Sequence, residues 1–347
     1  MDRYFYFDDI FEDYTKYSLK ISKSLYLKSG LYPIIDQGKE EIAGYSNKNI
    51  NIFDKIPVII FGDHTRIFKY VDYPFFLGAD GVKILKNTSN LFLDKYLYYS
   101  LKNFKIPDTG YNRHFKWLKD FKIKYISLAK QERITSLIEK IEFFILKKEK
   151  QLEYLKELKK SLFTRMFGDI KTNDKNWEIK KLGEVVQTQY GTSKKATSVV
   201  GKLPILRMNN ITYSGEMDYK DLKYIELSDS EKEKFLLKKG ELLFNRTNSK
   251  ELVGKTGLFN LDIPMVFAGY LIRIKPSNLI HSKFLLFFMN SEFMKKLLYN
   301  KAKNIVGMAN INAKELEDFS IILPPIELQN KFAERIEKIE KLSFNFY

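Results

Sequence analysis

No cysteine occurs among the 347 residues. That absence removes disulfides, thiolate metal sites and thiol nucleophiles together, and makes a reducing compartment the natural setting. Histidine is nearly as scarce: His64, His114 and His281 are the only three, and no metal-ligand spacing relates them. No stretch approaches the roughly 18 apolar residues that a membrane-spanning helix needs. The start, MDRYFYFDDIFEDY, has neither a basic leader nor a long apolar run. A cytoplasmic protein that makes no use of a membrane is therefore expected.

Catalytic signatures are also missing. VGKTG at 253–257 ends like a phosphate-binding loop, in which a Gly-rich turn and a Lys cradle phosphates. The place of the first Gly is taken by Ser249, however, and the following GLFNLDIP cannot open a helix. Asp174, Glu178 and Lys180 imitate the carboxylates and lysine of a nuclease, but their close spacing suits a solvated turn. There is no Asn-Pro-Pro-aromatic tetrad of an amino-methyltransferase, and no Gly-rich cofactor loop follows a strand. The chain reads as a binder, with no catalytic residue, metal or cofactor of its own.

What is present is positive charge. Lys and Arg number 59 against 43 Asp and Glu, a net charge of +16. Such an excess suits a polyanion, because neutralising phosphates releases counterions and gives sequence-independent affinity. A coding sequence rich in A and T would also enrich Lys, Asn, Ile, Phe and Tyr, so charge alone does not identify the partner. A hydrophobic fraction of 44% and an aromatic fraction of 15% are those of a folded chain.

One stretch is written twice. QERITSLIEKIE at 131–142 recurs as QNKFAERIEKIE at 329–340, and the same offset of 198 residues superposes LKDFKI at 118–123 on LEDFSI at 316–321. Two matches in one order and register predict two similar halves, each ending in a strand and then a helix.

Four segments follow from the pattern. Residues 1–127 mix strand-like runs such as IPVIIF (56–61) and GVKIL (81–85) with Gly, Asn and Asp punctuation, and contain one helix-like stretch at 91–104. Residues 128–168 have no Gly or Pro before Gly168. Their apolar residues Ile134, Ile138, Ile141, Ile145, Leu152, Leu155, Leu162 and Met166 alternate in threes and fours, with Lys148 and Lys159 at the two missing seam positions. That is a heptad pattern, and about 40 residues at about 1.5 Å each predict a rod near 60 Å long. Leu137, Phe144, Leu158 and Phe163 widen the stripe, so the rod is expected to pack against more than solvent. Residues 169–324 repeat the character of the first segment, with strands at PILRMNNI (204–211), GELLFNRTN (240–248) and YLIRIKP (270–276) and a helix over 281–300. Residues 325–347 begin a second, shorter rod after Pro324-Pro325, and pairing it antiparallel with the long rod is the economical way to cover both seams.

At this point the residues resemble a known family. WEIKKLGEVVQTQYGTS (177–193), PILRMNNI, KKGELLFNRTNSKELVGKTG (238–257), a turn centred on Gly307 and LPPIELQNKF (323–332) resemble, in order, the target recognition domain of type I restriction-modification specificity subunits. The first half is similar to the same domain in another subclass through residues 7–46, IIFGDHTRIFKYVDYPFF (59–76) and TGYNRHF (109–115), and KKEKQLEYLKELKKSLFTRMFG (147–168) is similar to the family's central helical region. The resemblance implies an α+β fold with pseudo-two-fold symmetry. Two small mixed globules, 1–127 and 169–324, are joined by a long helix, 128–168, which pairs antiparallel with a shorter one, 325–347. It further implies a non-catalytic subunit that reads a bipartite site in double-stranded DNA, one half per globule, with the helices setting the spacer. The partners it implies are two adenine methyltransferase subunits and a motor-nuclease subunit, which carry S-adenosylmethionine, ATP and Mg. Two departures stand out. ISLAKQER opens the first helix where LPP would be favoured, and the last helix has about half the family's length, which favours self-association through the exposed seam of the long rod.

Base reading needs side chains of fixed donor and acceptor geometry, and phosphate contact needs Lys, Arg, hydroxyls or free amides at Gly turns. In the second globule these are Asn245, Arg246, Thr247, Asn248, Ser249 and Lys250, with Lys255, then Tyr190, Gly191, Thr192, Ser193 and Lys194, and then Arg207, Asn209 and Asn210. The parallel choices in the first are Gln37, Lys39 and Tyr45, then Asp63, His64, Thr65 and Arg66, then Tyr111, Asn112, Arg113 and His114. Any Asn- or Gly-rich loop can equally be a plain turn. Phe75, Phe76, Phe287 and Phe288 are expected in the core rather than as base-stacking platforms. The alternative reading is an architectural or RNA-binding protein with two repeated basic domains, which would display aromatic platforms on strands.

Overall fold

The computed structural model describes every residue except 1, 2, 79, 80, 200, 201, 306, 307 and 345–347, so the expected turn centred on Gly307 lies outside the described residues. The architecture is α+β, and the chain divides into two compact units, Met1–Lys147 and Lys148–Tyr347. Among the described residues no helix is long and apolar enough to cross a membrane.

The first unit runs β1 (Tyr4–Tyr6), α1 (Phe7–Ile10), β2 (Phe11–Asp13), β3 (Tyr32–Ile35), β4 (Gly44–Ser46), β5 (Val58–Gly62), β6 (Phe68–Val71), β7 (Phe76–Leu77), β8 (Val82–Asn87), α2 (Asp94–Asn103) and β9 (Lys122–Lys124). It then enters α3 (Leu128–Phe167). The apolar run of β5 is buried on both faces and forms an inner strand of a four-stranded sheet, order β2-β8-β5-β6. β3 pairs with β4 antiparallel and with β7 parallel, and β1 pairs with β9.

The second unit runs β10 (Glu178–Lys181), α4 (Leu182–Val185), β11 (Val186–Tyr190), β12 (Leu203–Leu206), β13 (Lys223–Ile225), α5 (Asp229–Phe235), β14 (Leu242–Asn245), β15 (Thr247–Asn248), β16 (Thr256–Leu258), β17 (Val266–Phe267), β18 (Leu271–Pro276), α6 (Ser282–Met289), α7 (Glu292–Lys301), β19 (Lys303–Ile305), β20 (Met308–Asn310), α8 (Ala313–Glu317), β21 (Ser320–Leu323) and α9 (Ile326–Phe344). Its sheets have the orders β11-β18-β14-β16, β13-β12-β17 and β10-β21. Each strand pairing of the first unit thus has its counterpart here, including the parallel pair β12 and β17. The second unit adds a small sheet, β15-β20-β19.

The repeat extends to single hydrogen bonds. Buried Gln131 accepts the amide of Leu93 (2.9 Å) and donates to the carbonyls of Leu91 and Ile126 (2.8 Å each). Buried Gln329, its partner in the sequence repeat, accepts the amide of His281 (2.8 Å) and donates to the carbonyls of Leu279 (3.2 Å) and Pro324 (2.7 Å). One carboxamide in each unit therefore ties the entry of the sheet-packed helix, α2 or α6, to the entry of α3 or α9. Ion pairs repeat with it: Lys95 bonds Glu139, and Lys283 lies 3.5 Å from Glu337 and 2.6 Å from Glu340.

Phe163 and Phe167 at the end of α3 pack with Phe284 and Phe332, ring centroids 4.7 to 5.6 Å apart, and α9 seals that cluster with Ile336. Phe75, Phe76 and Phe288 are buried, and Phe287 packs on the same core.

Two expectations are corrected. The helix over 281–300 is two helices, because Asn290 ends α6 and the Ser291 hydroxyl caps α7 by accepting the Met294 amide at 3.1 Å. The middle of α3 is not packed as its stripe predicts: Leu137, Ile141, Phe144, Ile145 and Leu158 are each at least half exposed. Among the described residues, α2 bonds the early turns of α3 through Glu139 and Glu142, and α6 and α9 pack on its last turns at Leu162, Phe163, Met166 and Phe167.

Replacing either glutamine by alanine leaves three main-chain groups without their partner. Gln131→Ala and Gln329→Ala are each expected to cost about 3 kcal/mol in urea denaturation. A loss below about 0.5 kcal/mol in both would mean that water replaces the carboxamide at no cost.

Candidate nucleic-acid interface

In the first unit three loops distant in sequence converge: the one leaving β3, the β5 to β6 hairpin and residues 107–115. The His64 amide donates to Gln37 Oε1 (3.3 Å), and the Thr65 hydroxyl to the Gln37 carbonyl (2.7 Å). The His64 ring stacks on Tyr111 with centroids 4.8 Å apart, and its Nδ1 lies 3.2 Å from the Asn112 carbonyl. Arg66 pairs with Asp108 at 2.9 Å. The Gly110 amide and then the Arg66 guanidinium hold the Asp108 carboxyl below the usual carboxylate range.

Buried groups fasten these loops. Asp63 Oδ1 accepts the amides of His114 (2.7 Å) and Phe115 (2.6 Å), while His114, also buried, sets Nδ1 at 3.0 Å from the Asp63 carbonyl and Nε2 at 3.2 Å from the Thr109 hydroxyl. Arg66 sits at φ +62°, a left-handed backbone that a tight hairpin imposes. Lys39, Thr65, Tyr111, Asn112 and Arg113 remain exposed around this framework. Tyr45 lies apart, on β4, beside Tyr26 and Leu27.

The second unit gathers the ends of β11, β12 and β14. The Arg246 guanidinium lies 4.8 Å from the Tyr190 ring and 3.3 Å from Asn310 Oδ1, and the Tyr190 hydroxyl accepts the Ala313 amide at 2.8 Å. Asn310 also donates to the Thr247 hydroxyl (3.0 Å). Gly191 is required by close approach, since a Cβ there would come within 2.3 Å of the Ala268 carbonyl oxygen. Lys194 bonds Glu231 at 2.7 Å, and that contact together with the Ser228 amide and hydroxyl pulls the Glu231 carboxyl down to about 2. Arg207 pairs with Asp221 at 3.0 Å. Lys250 stands over the Tyr299 ring at 4.6 Å. Ser193 and Asn209 are exposed, and Asn248 and Ser249 are half-buried.

Seven of the candidate side chains lie inside the protein rather than at its surface. Asp63, His114, Thr192, Asn210, Asn245, Thr247 and Lys255 are each less than a tenth exposed. Asn210 shows why: its amide donates to the carbonyls of Asp218 (2.8 Å) and Asp221 (3.1 Å), and its oxygen accepts the Arg207 amide (2.9 Å), so the side chain builds the loop. Lys255, the lysine of VGKTG, turns inward onto the carbonyls of Met208 (3.0 Å) and Ile211 (2.6 Å). Asp174 accepts the Asp169 amide at 2.8 Å in the turn that follows α3.

Three residues escaped the sequence reading. Asp108 orients Arg66, Asn310 orients Arg246 and Thr247, and Lys69 pins the loop after β3. The Asp-Thr-Gly of 108–110 is a turn signature, whereas Lys69 and Asn310 leave no local trace.

Comparison with known proteins bears on this geometry. Residues 174–345 match the family described as the type I restriction modification DNA specificity domain. The chain is similar to the EcoKI specificity subunit of Escherichia coli K12, 30% identical over 43% of this chain and 32% of that protein. It is similar to the EcoR124I/EcoR124II specificity subunit of Escherichia coli, 23% identical over 96% of this chain and 85% of that protein. Against the EcoKI protein and a specificity subunit of Methanocaldococcus jannaschii the match spans only 32% and 40% of the relative's length. The type I restriction-modification S subunit from M. genitalium shares the fold, with a TM-score of 0.66 at 17% identity, over 100% of this chain and 91% of that one.

The fastening of the first unit's loops is open to measurement. Asp63→Ala is expected to destabilise the unit by about 2 kcal/mol and to speed amide exchange at residues 110–115. Asp63→Asn keeps the accepting oxygen and should retain most of the protection. Equal loss in both variants would assign the effect to charge rather than to the two hydrogen bonds.

Proposed function

Because this chain belongs, through residues 174–345, to the type I restriction modification DNA specificity domain family, we propose that it selects DNA for partner subunits and performs no reaction itself. Each unit reads one half of a bipartite site in double-stranded DNA, and α3 sets the length of the unread spacer. The observation that carries this reading is the doubling: two units of one strand topology, each presenting polar loops from three distant segments on a buried framework.

The roles divide by exposure. Lys39, Thr65, Tyr111, Asn112 and Arg113 in the first unit, and Tyr190, Ser193, Lys194, Asn209 and Lys250 in the second, have side chains at or near the surface. They are assigned to bases and phosphates. Gln37, His64, Gly191, Asn248 and Ser249 support them at the loop edges, whereas Tyr45 stands apart on β4. Arg66, Arg207 and Arg246 are held by Asp108, Asp221 and Asn310. Each can exchange an exposed or half-buried partner for a phosphate or a guanine edge at small cost, since surface ion pairs contribute little. The net charge of +16 supplies the sequence-independent attraction.

The chemistry then belongs to the partners. Two methyltransferase subunits carrying S-adenosylmethionine would modify adenine, and a motor-nuclease subunit using ATP and Mg would restrict unmodified DNA, all in the cytoplasm. Their docking surface, and any self-association, falls to the helices, where α3 exposes Ile141, Phe144 and Ile145.

The test is to map methylated adenines genome-wide in cells carrying this gene with its neighbouring methyltransferase gene. A two-part motif with a fixed gap is expected, and a continuous motif or none overturns the reading. Exchanging residues 169–324 for the equivalent domain of a relative should change one half of that motif and leave the other. Deleting one heptad from the exposed part of α3 shortens the helix by about 10 Å and should shorten the gap by about three base pairs without altering the bases read.

A further inference from the structure

Lysine is among the side chains least often found buried, yet besides Lys283, which pairs with Glu337 and Glu340, each unit buries one along the same edge of its four-stranded sheet. Lys69, on β6, is 2% exposed and donates to the carbonyls of Asp36 (2.8 Å) and Glu40 (2.5 Å), with the Asp36 carboxylate 3.8 Å away. Lys255, next to β16, is 8% exposed and donates to the carbonyls of Met208 and Ile211. β6 and β16 are equivalent edge strands beside β5 and β14. The ladder sets Phe61 opposite Phe68 and Phe244 opposite Thr256, so the two lysines differ by two places along the strand and share one face. The loops they hold are equivalent too, leaving β3 and β12, and in each the farther carbonyl lies five residues beyond the strand's end.

Burial lowers the pKa of both ammonium groups, so their charge is kept at some cost. What the charge supplies is three donors at one point. Residues 36–40 form no regular element and 208–210 form a single 3-10 turn, and a single ammonium satisfies two main-chain carbonyls at once in each. The hydrogen bonds go to main-chain carbonyls, with the Asp36 carboxylate adding a longer ion pair in the first unit, so most side chains of the loop can differ while the loop's path stays the same.

We propose that Lys69 and Lys255 are positioning residues for DNA reading: each clamps, from inside, the loop that presents Gln37 and Lys39 or Arg207 and Asn209, and each governs only its own half-site. The inference rests on the function proposed above. It assigns these buried lysines a share in specificity without contact to DNA.

Two readouts test it on the full-length chain. Lys69→Met keeps the length of the side chain and removes the donors. Amide exchange over residues 37–41 should rise about tenfold or more with 208–212 unchanged, and Lys255→Met should do the reverse. Should a methionine variant unfold its unit, the corresponding Lys→Gln, which retains a donor on a shorter stem, serves in its place. In the methylation map, Lys69→Met should relax the bases of one half of the motif and Lys255→Met those of the other. Unchanged exchange, or faster exchange with both halves of the motif intact, overturns the clamp, as does uniform loss across both halves with the fold preserved. If the wild-type chain itself yields no two-part motif, the functional reading falls and the assignment to half-sites with it. The exchange data separate the two failures, because they report the clamp without reference to DNA.

Discussion

A buried carboxamide at the root of a helix is the contact on which each unit is organised. Where a chain leaves a strand for α3 or α9, and where another enters α2 or α6, main-chain groups come together that belong to no regular ladder. Buried groups of that kind must find partners inside the protein. Gln131 and Gln329 provide one acceptor and two donors at the right spacing, which no apolar residue could do. With that junction closed, the sheet-packed helix and the rod keep a fixed relation inside each unit, and the ion pairs of Lys95 with Glu139 and Lys283 with Glu337 add to it.

The same economy runs through the loops. Their outer surfaces are polar and varied, whereas their inner surfaces are held by a few side chains that bond main-chain atoms: Asp63 to two amides, Asn210 to two carbonyls and an amide, Lys69 and Lys255 to two carbonyls each. A framework built on the backbone is indifferent to which side chains the loop displays. The displayed residues are therefore free to change while the scaffold persists.

Much of this was legible in the sequence. The 198-residue repeat announced two similar units, and the stretch without Gly or Pro announced α3. Polar residues at Gly- and Asn-rich turns marked the loops, and the structure brings residues 37, 63–66 and 111–114 together from three segments. The break between α6 and α7 was written locally, in Asn290 and Ser291, but the apolar periodicity across it concealed the capping signal. The heptad stripe of α3 marked which residues seek cover without telling how much cover each unit provides. Phe163 and Met166 are buried by α6 and α9, while Ile141 and Phe144 carry the same pattern and face solvent.

The order of amino acids by itself determined the duplication, the long helix, the excess of positive charge and the positions of the loops, because each of these is a periodicity, a count or a local preference. Only the tertiary structure decided which polar side chains in those loops turn inward. Asp63, His114, Asn245 and Lys255 look no different in sequence from Thr65, Asn112, Asn209 and Lys194, yet the former are buried and the latter remain at least partly in solvent. The difference arises from neighbours contributed by remote segments: the amides of residues 114 and 115 for Asp63, the carbonyls of 208 and 211 for Lys255. Burial is a property of that assembly, and no window of sequence contains it.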